Sequence, residues 1–177
     1  MTGDIKAVIE GCQKNQRNAQ KELYDLFSAK MYQTCVAYMT DREEAQDVLH
    51  DGFFKVFKSI HQFNSSTNNI EGWIRRIMIN TAIDKLRRAQ KFRMDSLDDM
   101  YYQGSNNDLS DHIKENDIVA LVATLPEGAR TIFNLYTLEG YKHKEIAKIL
   151  GITEGTSKSQ FSRARQILQD LLNKHYT

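Results

Sequence analysis

Apolar residues recur at steps of three and four positions along much of the chain, which is the spacing of a helix with one buried face. The clearest case covers residues 41–60, where Asp41 stands three positions before Glu44, as a capping box requires. We predict an amphipathic helix there, with a buried stripe formed by Ala45, Val48, Leu49, Phe53, Val56, Phe57 and Ile60.

A second amphipathic helix is predicted for residues 71–88, after a polar loop at residues 63–69. Its apolar positions are Ile74, Ile77, Met78 and Leu86. The opposite face is predicted to carry Arg76, Asn80, Asp84 and Arg87 or Arg88. Upstream, residues 4–37 fit two more helices, which carry Leu23, Leu26, Phe27, Tyr32 and Val36. We therefore predict a first domain of four helices.

Residues 94–117 lack this periodicity and combine many acids with glycine, serine and asparagine, which is typical of a linker. Beyond them, four helices are predicted at residues 118–125, 127–138, 143–150 and 154–172, bounded by Pro126, Gly140 and Gly151. One proline and nine glycines are too few for the many turns of an all-β protein. The chain is expected to be all-α, with small domains at residues 1–93 and 118–177.

The sharpest local motif is a predicted helix-turn-helix at residues 145–156. Small Ala147 allows two helices to approach, and Gly151 supplies the backbone freedom for the turn. The second helix would enter the major groove of DNA and offer Thr156, Lys158, Ser159, Gln160, Phe161 and Arg163. The alternative is an ordinary helical hairpin with a solvated basic face.

Charge is unevenly distributed, although the whole chain carries a formal charge of only +1. Residues 73–93 contain seven basic residues and one acid, and residues 142–174 contain seven and three. The segment between them, 94–117, has seven acids and one lysine. Two separate phosphate-binding faces are therefore predicted, although solvated helix faces also produce such runs.

An enzyme is not expected, because the five histidines are scattered and the glycines form no phosphate loop. Cys12 and Cys35 stand alone, which indicates reduced structural thiols and neither a metal site nor a disulfide. No catalytic residue, metal or cofactor is predicted. The polar N-terminus does not read as a signal peptide, and no apolar run approaches the ~20 residues of a membrane span, so we expect a cytoplasmic protein without membrane insertion.

Two sets of motifs resemble one family, the extracytoplasmic function sigma factors of bacterial RNA polymerase. The first half has the sequence AQDVLHD at 45–51 with Phe53 and Phe57, then GWI at 72–74, NTAID at 80–84 and the pair Arg87 and Arg88. The second half has the helix-turn-helix that ends in SQFSRAR at 159–165. The resemblance implies a sigma factor with region 2 at 1–93 and region 4 at 118–177, which directs promoter recognition and transcription initiation.

The resemblance assigns core polymerase binding to the polar side of the 41–60 helix, which would dock on the clamp helices of the largest polymerase subunit. The residues concerned are Asp47, His50, Asp51 and Phe54. The family usually has Gln and Glu where His50 and Asp51 stand. The alternative is that these residues are simply the hydrated side of an amphipathic helix.

The loop at 63–69 and the following helix resemble the element that melts the minus-ten region and captures an unstacked base. The residues implied are Asn64, Asn68, Arg75, Arg76, Asn80, Arg87 and Arg88. Trp73 is expected in the core because it begins the apolar face. Asp84 is expected to pair with Arg87 or Arg88 one turn on.

In region 4 the resemblance implies that the second helix reads the minus-thirty-five element, although Ser157 and Gln160 stand where the family often has a β-branched residue and Arg. Ser157 is expected to weaken the buried side, and Gln160 to shift the preferred base from guanine towards adenine. The implied partners are core polymerase, promoter DNA and an anti-sigma factor. An ordinary DNA-binding regulator that uses only the C-terminal motif remains the alternative.

Overall fold

The computed structural model describes residues 5–39, 41–64, 69–88 and 121–176, with side chains up to residue 173. Every regular element in these residues is helical, which confirms the all-α expectation. The chain divides into two compact units, Met1–Lys85 and Leu86–Thr177. The predicted linker at 94–117 lies outside the described residues.

The first unit contains four α-helices, as the sequence predicted. They are α1 (Ile5–Gln13), α2 (Arg17–Tyr38), α3 (Arg42–Ser59) and α4 (Ile70–Arg88), and a single 3₁₀ turn, Ile60–Gln62, follows α3. The turn between α1 and α2 is tight, with Asn15 in the left-handed region at φ 57°. Its backbone amide donates to Cys12 and that of Gln16 donates to Gly11. The end of α1 is thereby fixed against α2.

Helix α3 begins where the capping motif placed it. The Asp41 carboxylate accepts a 2.7 Å hydrogen bond from the Glu44 amide, which satisfies one donor of the first turn. Further along, Gly52 is buried against the sulfur of Met78 on α4, so a Cβ at this position would overlap that side chain. The missing side chain lets α3 and α4 approach closely.

The core of the first unit is drawn from all four helices. It includes Val8, Cys12, Leu23, Met31, Cys35, Val48, Phe53, Val56, Ile74, Met78 and Ala82, each at most 5% exposed. The predicted stripe of α3 is buried with the exception of Phe57, which is half-buried. Among the apolar residues predicted on the upstream helices, Leu26 is 49% exposed and makes no part of this core.

The second unit is built from helices separated by the predicted breakers. Residues 121–123 are helical, and α5 (Glu127–Thr137), α6 (His143–Leu150) and α7 (Glu154–Tyr176) follow. Gly140 and Gly151 both adopt left-handed conformations, at φ 72° and 70°, which explains why glycine ends these segments. Helix α7 runs four residues past its predicted end.

A small apolar core holds the second unit together. Leu125, Ala129 and Ala164 are almost fully buried, and Val122, Phe133, Ile167 and Leu168 pack around them. Through Ala164 and its neighbours, α7 lies against α5 along much of its length.

Both cysteines are free and buried, as expected of structural thiols. Burial raises the pKa of the Cys12 thiol to about 11, with a further contribution from the Glu22 charge, and burial raises that of Cys35 to about 12. Both therefore stay protonated near neutral pH, where a thiol is a poor nucleophile. In the described ranges no helix combines the length and apolar character that crossing a membrane requires.

Candidate polymerase and nucleic-acid interfaces

Four polar or aromatic side chains form one exposed stripe on α3, which we call the α3 docking stripe. It consists of Asp47, His50, Asp51 and Phe54, and their three- and four-residue spacing aligns them along the helix. All four are exposed, and the Phe54 ring is 70% exposed. Aromatic residues are enriched at protein-binding surfaces, so the exposed Phe54 ring makes this stripe a candidate for one.

The stripe is tied to the neighbouring helix at one end. Lys85 on α4 donates a 3.0 Å hydrogen bond to the Asp47 carboxylate. A second cross-helix pair joins Lys55 on α3 to Asp84 on α4, at 3.5 Å. The ion pair observed for Asp84 is therefore with another helix, and not the predicted pair with Arg87 or Arg88 one turn on. Lys55 points across the helix crossing, where it meets the carboxylate.

Helix α4 presents a basic polar face, formed by Arg76, Asn80 and Arg87, with Arg88 exposed beside it. Arg76 and Asn80 are four residues apart and Arg87 lies two turns further on, so the three side chains lie along one side of the helix. The Asn80 carboxamide provides both a donor and acceptors between positive charges. This is the chemistry that a single strand of nucleic acid needs.

Arg75 has a different setting from the other arginines of α4. It is half-buried, and its Nη1 donates a 3.2 Å hydrogen bond to Thr34 Oγ1 on α2. Thr34 is itself buried. The guanidinium thus braces α4 against α2, a packing role that the sequence pattern did not distinguish from DNA contact.

The described ends of the 63–69 segment are fixed to α4. At one end the Phe63 ring is 5% exposed and lies 5.3 Å from the Trp73 ring, centroid to centroid. At the other end the Asn69 side chain accepts a hydrogen bond from the Glu71 amide at 3.0 Å. Trp73 is half-buried, while Asn64 is exposed next to Phe63. Asn68 lies outside the described residues.

The helix-turn-helix motif is present where the sequence predicted it. Ile146 and Leu150 are buried beneath the turn, and the Ile152 amide donates to the Ala147 carbonyl. Thr153 caps α7, because its hydroxyl accepts a 3.0 Å hydrogen bond from the Thr156 amide. A left-handed glycine followed by a capped helix fixes the angle at which α7 leaves the turn.

The exposed side chains of the first turns of α7 are partly engaged within the helix. Lys158 forms a 2.7 Å ion pair with Glu154, and a hydrogen bond from Lys158, together with its charge, lowers the pKa of the Glu154 carboxyl. The Ser159 hydroxyl donates to the Thr156 carbonyl at 3.0 Å. Gln160 is half-buried and Arg163 is exposed. The predicted reading residues therefore share one end of α7.

Phe161 packs inside the unit. Its ring lies 4.5 Å from that of Tyr136, 5.6 Å from that of His143 and 5.9 Å from that of Phe133, and His143 stacks on Tyr136 at 4.6 Å. The sequence placed Phe161 among the residues offered to DNA, whereas in the structure its ring packs on rings of the same unit. The ring cluster joins α5, α6 and α7 and holds the recognition helix in place.

The buried serine of α7 has a partner that the sequence did not indicate. Ser157 is fully buried, and its Oγ lies 2.9 Å from His143 Nδ1 at the start of α6. A hydroxyl on the packed side is thus accommodated by hydrogen bonding, which corrects the view that it simply weakens this face. Fourteen positions separate the two residues, so helical spacing alone could not pair them.

Two lysines that the sequence analysis did not single out lie exposed on the first helix of the motif. Lys144 and Lys148 are one turn apart on α6 and face solvent. In a helix-turn-helix the first helix crosses the DNA backbone, so lysines there would face phosphates.

Among the described residues no group of His, Cys, Asp and Glu side chains is arranged to hold a metal ion.

Comparison with known families matches both halves of the chain, in the order that the motifs predicted. Sigma-70 region 2 matches residues 23–92, and Sigma-70, region 4 matches residues 115–168, together about 70% of the chain. Its curated relatives are named RNA polymerase sigma factors, and several of them are named ECF sigma factors. The chain belongs to the extracytoplasmic function group of RNA polymerase sigma factors. It is thus a factor of promoter recognition and transcription initiation.

Curated relatives of this sigma factor come from distant bacteria. The ECF RNA polymerase sigma factor SigE of Mycolicibacterium smegmatis is 30% identical over 160 residues, which cover 87% of this chain and 62% of the relative. RNA polymerase sigma factor SigV of Bacillus subtilis is 29% identical, covering 81% and 84%. The ECF RNA polymerase sigma-E factor of Haemophilus influenzae is 27% identical, covering 93% of each. The chain therefore spans less than two thirds of the first relative's length.

Two solved structures share the fold. CnrH in complex with the cytosolic domain of CnrY aligns with a TM-score of 0.52 at 18% identity, covering 97% of this chain and 99% of CnrH. The sigma factor RpoE of Bartonella quintana, in complex with the anti-sigma factor NepR, aligns with a TM-score of 0.51 at 21% identity, covering 86% and 96%. At these identities the likeness establishes the fold alone.

Proposed function

We propose that the α3 docking stripe binds the clamp helices of the largest subunit of core RNA polymerase, that α4 opens the minus-ten region, and that α7 reads the minus-thirty-five element. The observation that carries the proposal is that the acidic residues of the docking stripe and the basic residues around Asn80 lie on two different helices of the first unit. An acidic stripe with an exposed phenylalanine lies on α3, and a basic face with Asn80 lies on α4. A factor that read DNA through its C-terminal motif alone would have no use for that stripe.

Core binding is tested by substituting the exposed ring. Phe54→Ala should weaken binding to core polymerase at least tenfold, because an aromatic anchor carries a large share of an interface. Leu26→Ala is the matched control, since Leu26 is another exposed apolar residue of the same unit but lies on α2. Affinity is measured by fluorescence anisotropy with the full chain. Equal loss in both variants would contradict the assignment of the stripe.

The two DNA roles are distinguished by comparing a closed duplex promoter with a template whose minus-ten region is already open. Asn80→Ala should impair transcription from the closed duplex, and the pre-opened template should restore it. Gln160→Ala should instead change the preference at one upstream base pair by about 1–3 kcal/mol on either template. Lys158→Ala should lower the salt slope of duplex binding by about one. Damage to upstream duplex binding by Asn80→Ala as large as that by Gln160→Ala would refute the division.

The partner and domain proposals follow from this function. We propose that an anti-sigma factor binds this chain. The proposal is supported by the solved complexes of CnrH with the cytosolic domain of CnrY and of RpoE with the anti-sigma factor NepR. We propose domains at 1–93 and 118–177 with a linker at 94–117, which limited proteolysis should cut first. The chain acts through binding and without catalysis of its own, in the cytoplasm where polymerase works.

A further inference from the structure

One side chain of α1 reaches the start of the segment that leads into α4. The Gln13 carboxamide donates from Nε2 to the carbonyl of Ile60 at 3.2 Å and to that of Phe63 at 3.0 Å. Both hydrogens of one –NH₂ group are thus directed at the backbone of the turn that ends α3. The Ile60 carbonyl also accepts from the Phe63 amide at 3.0 Å, so the carboxamide adds a second donor there and gives the Phe63 carbonyl, beyond the end of the helical turn, a partner from α1.

Gln13 is itself held firmly. It is the last residue of α1, and the backbone hydrogen bonds of the α1–α2 turn follow it directly. Val8, Ile9 and Cys12 of α1 are buried, and α1 packs on both α2 and the 3₁₀ turn. A carboxamide on such an anchored helix end fixes the position of its acceptors.

The acceptors lie next to the region assigned to strand opening. The Phe63 ring packs against that of Trp73 on α4 with the two ring planes tilted by 52°, and Asn64 follows Phe63 directly. Helix α1 lies outside residues 23–92, the stretch that Sigma-70 region 2 matches. The family match therefore assigns Gln13 no role, although its two hydrogen bonds span 47 and 50 positions of sequence.

We propose that Gln13 is a positioning residue for promoter opening: by holding the carbonyls of Ile60 and Phe63 it sets where the exposed Asn64, the next residue, is presented. The inference rests on the proposed function of α4. Gln13 acts through the turn and does not touch DNA. Its loss should impair the step that captures the opened strand and spare the binding of closed duplex.

The test compares Gln13→Met with Gln16→Met in the full chain bound to core polymerase. Methionine keeps an unbranched side chain and removes both donors without adding charge. Gln16 is exposed, three residues on, and its side chain makes no capping hydrogen bond. We expect Gln13→Met to slow open-complex formation on duplex promoter about tenfold, with closed-complex affinity changed less than about twofold. A pre-opened bubble should restore transcription, and Gln16→Met should resemble wild type.

Three outcomes overturn this inference and leave the proposed function standing. Opening as fast as wild type would mean that the turn needs no brace. A defect that persists on the pre-opened template would assign Gln13 a general stabilising role. If Gln13→Met does not fold, Gln13→Asn replaces it, because it keeps the carboxamide and shortens its reach by one methylene; normal opening by that variant would refute the proposal. Wild-type protein inactive on both templates overturns the sigma function as well, which distinguishes the two failures.

Discussion

Replacing His143 by Phe should destabilise the helix-turn-helix, and replacing Ser157 by Ala in the same chain should restore much of the loss. His143→Phe keeps a ring of similar size against Tyr136 and Phe161 but removes the nitrogen 2.9 Å from the Ser157 hydroxyl. That hydroxyl is fully buried, so no water replaces the lost partner. The double variant removes both polar groups together.

The magnitude follows from this burial. A buried hydroxyl without a partner costs about 1–3 kcal/mol, so His143→Phe should lower the free energy of opening of α6 and α7 by that amount. Ser157→Ala alone should cost about 0.5–1.5 kcal/mol, because His143 is only half-buried and can turn to solvent. When His143→Phe is already present, the serine substitution should be stabilising, by about 1 kcal/mol. Such a change of sign is the signature of a coupled pair.

Native-state hydrogen exchange of the α6 and α7 amides measures these values in the full chain. Trp73, the only tryptophan, belongs to the first unit, so its fluorescence in urea provides an internal control that should not change. Ser159→Ala is the matched serine control, because its exposed hydroxyl bonds only within its own helix. If the two substitutions add within about 0.5 kcal/mol, the hydrogen bond does not couple α6 to α7 and the reasoning fails.

Three further outcomes are expected. Gly52→Ala should destabilise the first unit by about 1–3 kcal/mol through overlap with α4, while Gly72→Ala, in open space on α4, should be neutral or stabilising when both are measured by tryptophan fluorescence in urea. Glu154→Gln should tighten duplex binding severalfold in a salt titration, because it releases Lys158 from its ion pair and removes a negative charge that faces phosphates. The thiol pKa values of Cys12 and Cys35 are raised from 9.0 in the unfolded chain to about 11 and about 12 in the folded protein. The stability that this difference contributes is fully present below pH 9.0 and is lost as the pH rises towards the folded values. Cys35→Ala should therefore reduce the alkaline fall in the free energy of unfolding.

Local signals in the sequence predicted the helices well, because each such signal acts within a few residues. Asp41 caps α3 through a residue three positions away, and Gly151 ends α6 through its own backbone conformation. The family resemblance pointed to Asp47 and Phe54 as parts of one surface, and both are exposed. Periodicity did not decide whether Leu26 is exposed or buried, since one apolar residue on a helix edge fits either side of the stripe.

Contacts between distant residues were beyond the same reasoning. Nothing in the spacing connects Gln13 to Phe63, or His143 to Ser157. Spacing also does not distinguish Arg75, which braces α4 against α2, from the exposed Arg76. Each of these pairings depends on the angle and offset at which two helices cross, and apolar patterning restricts those only loosely. Polar residues at helix crossings are therefore where a structure adds most to the sequence.

The two cross-helix ion pairs between α3 and α4 illustrate what such residues can do. Asp47 bonds to Lys85 and Asp84 to Lys55, so each helix contributes one acid and one lysine, and the sense of each pair is opposite. All four side chains are about a third or more exposed, and pairs of this kind stabilise a fold by no more than about 1 kcal/mol. Their effect is on geometry instead. A sliding of α3 along α4 would lengthen both ion pairs at once, so the pairs hold the docking stripe in register with the basic face that carries Asn80.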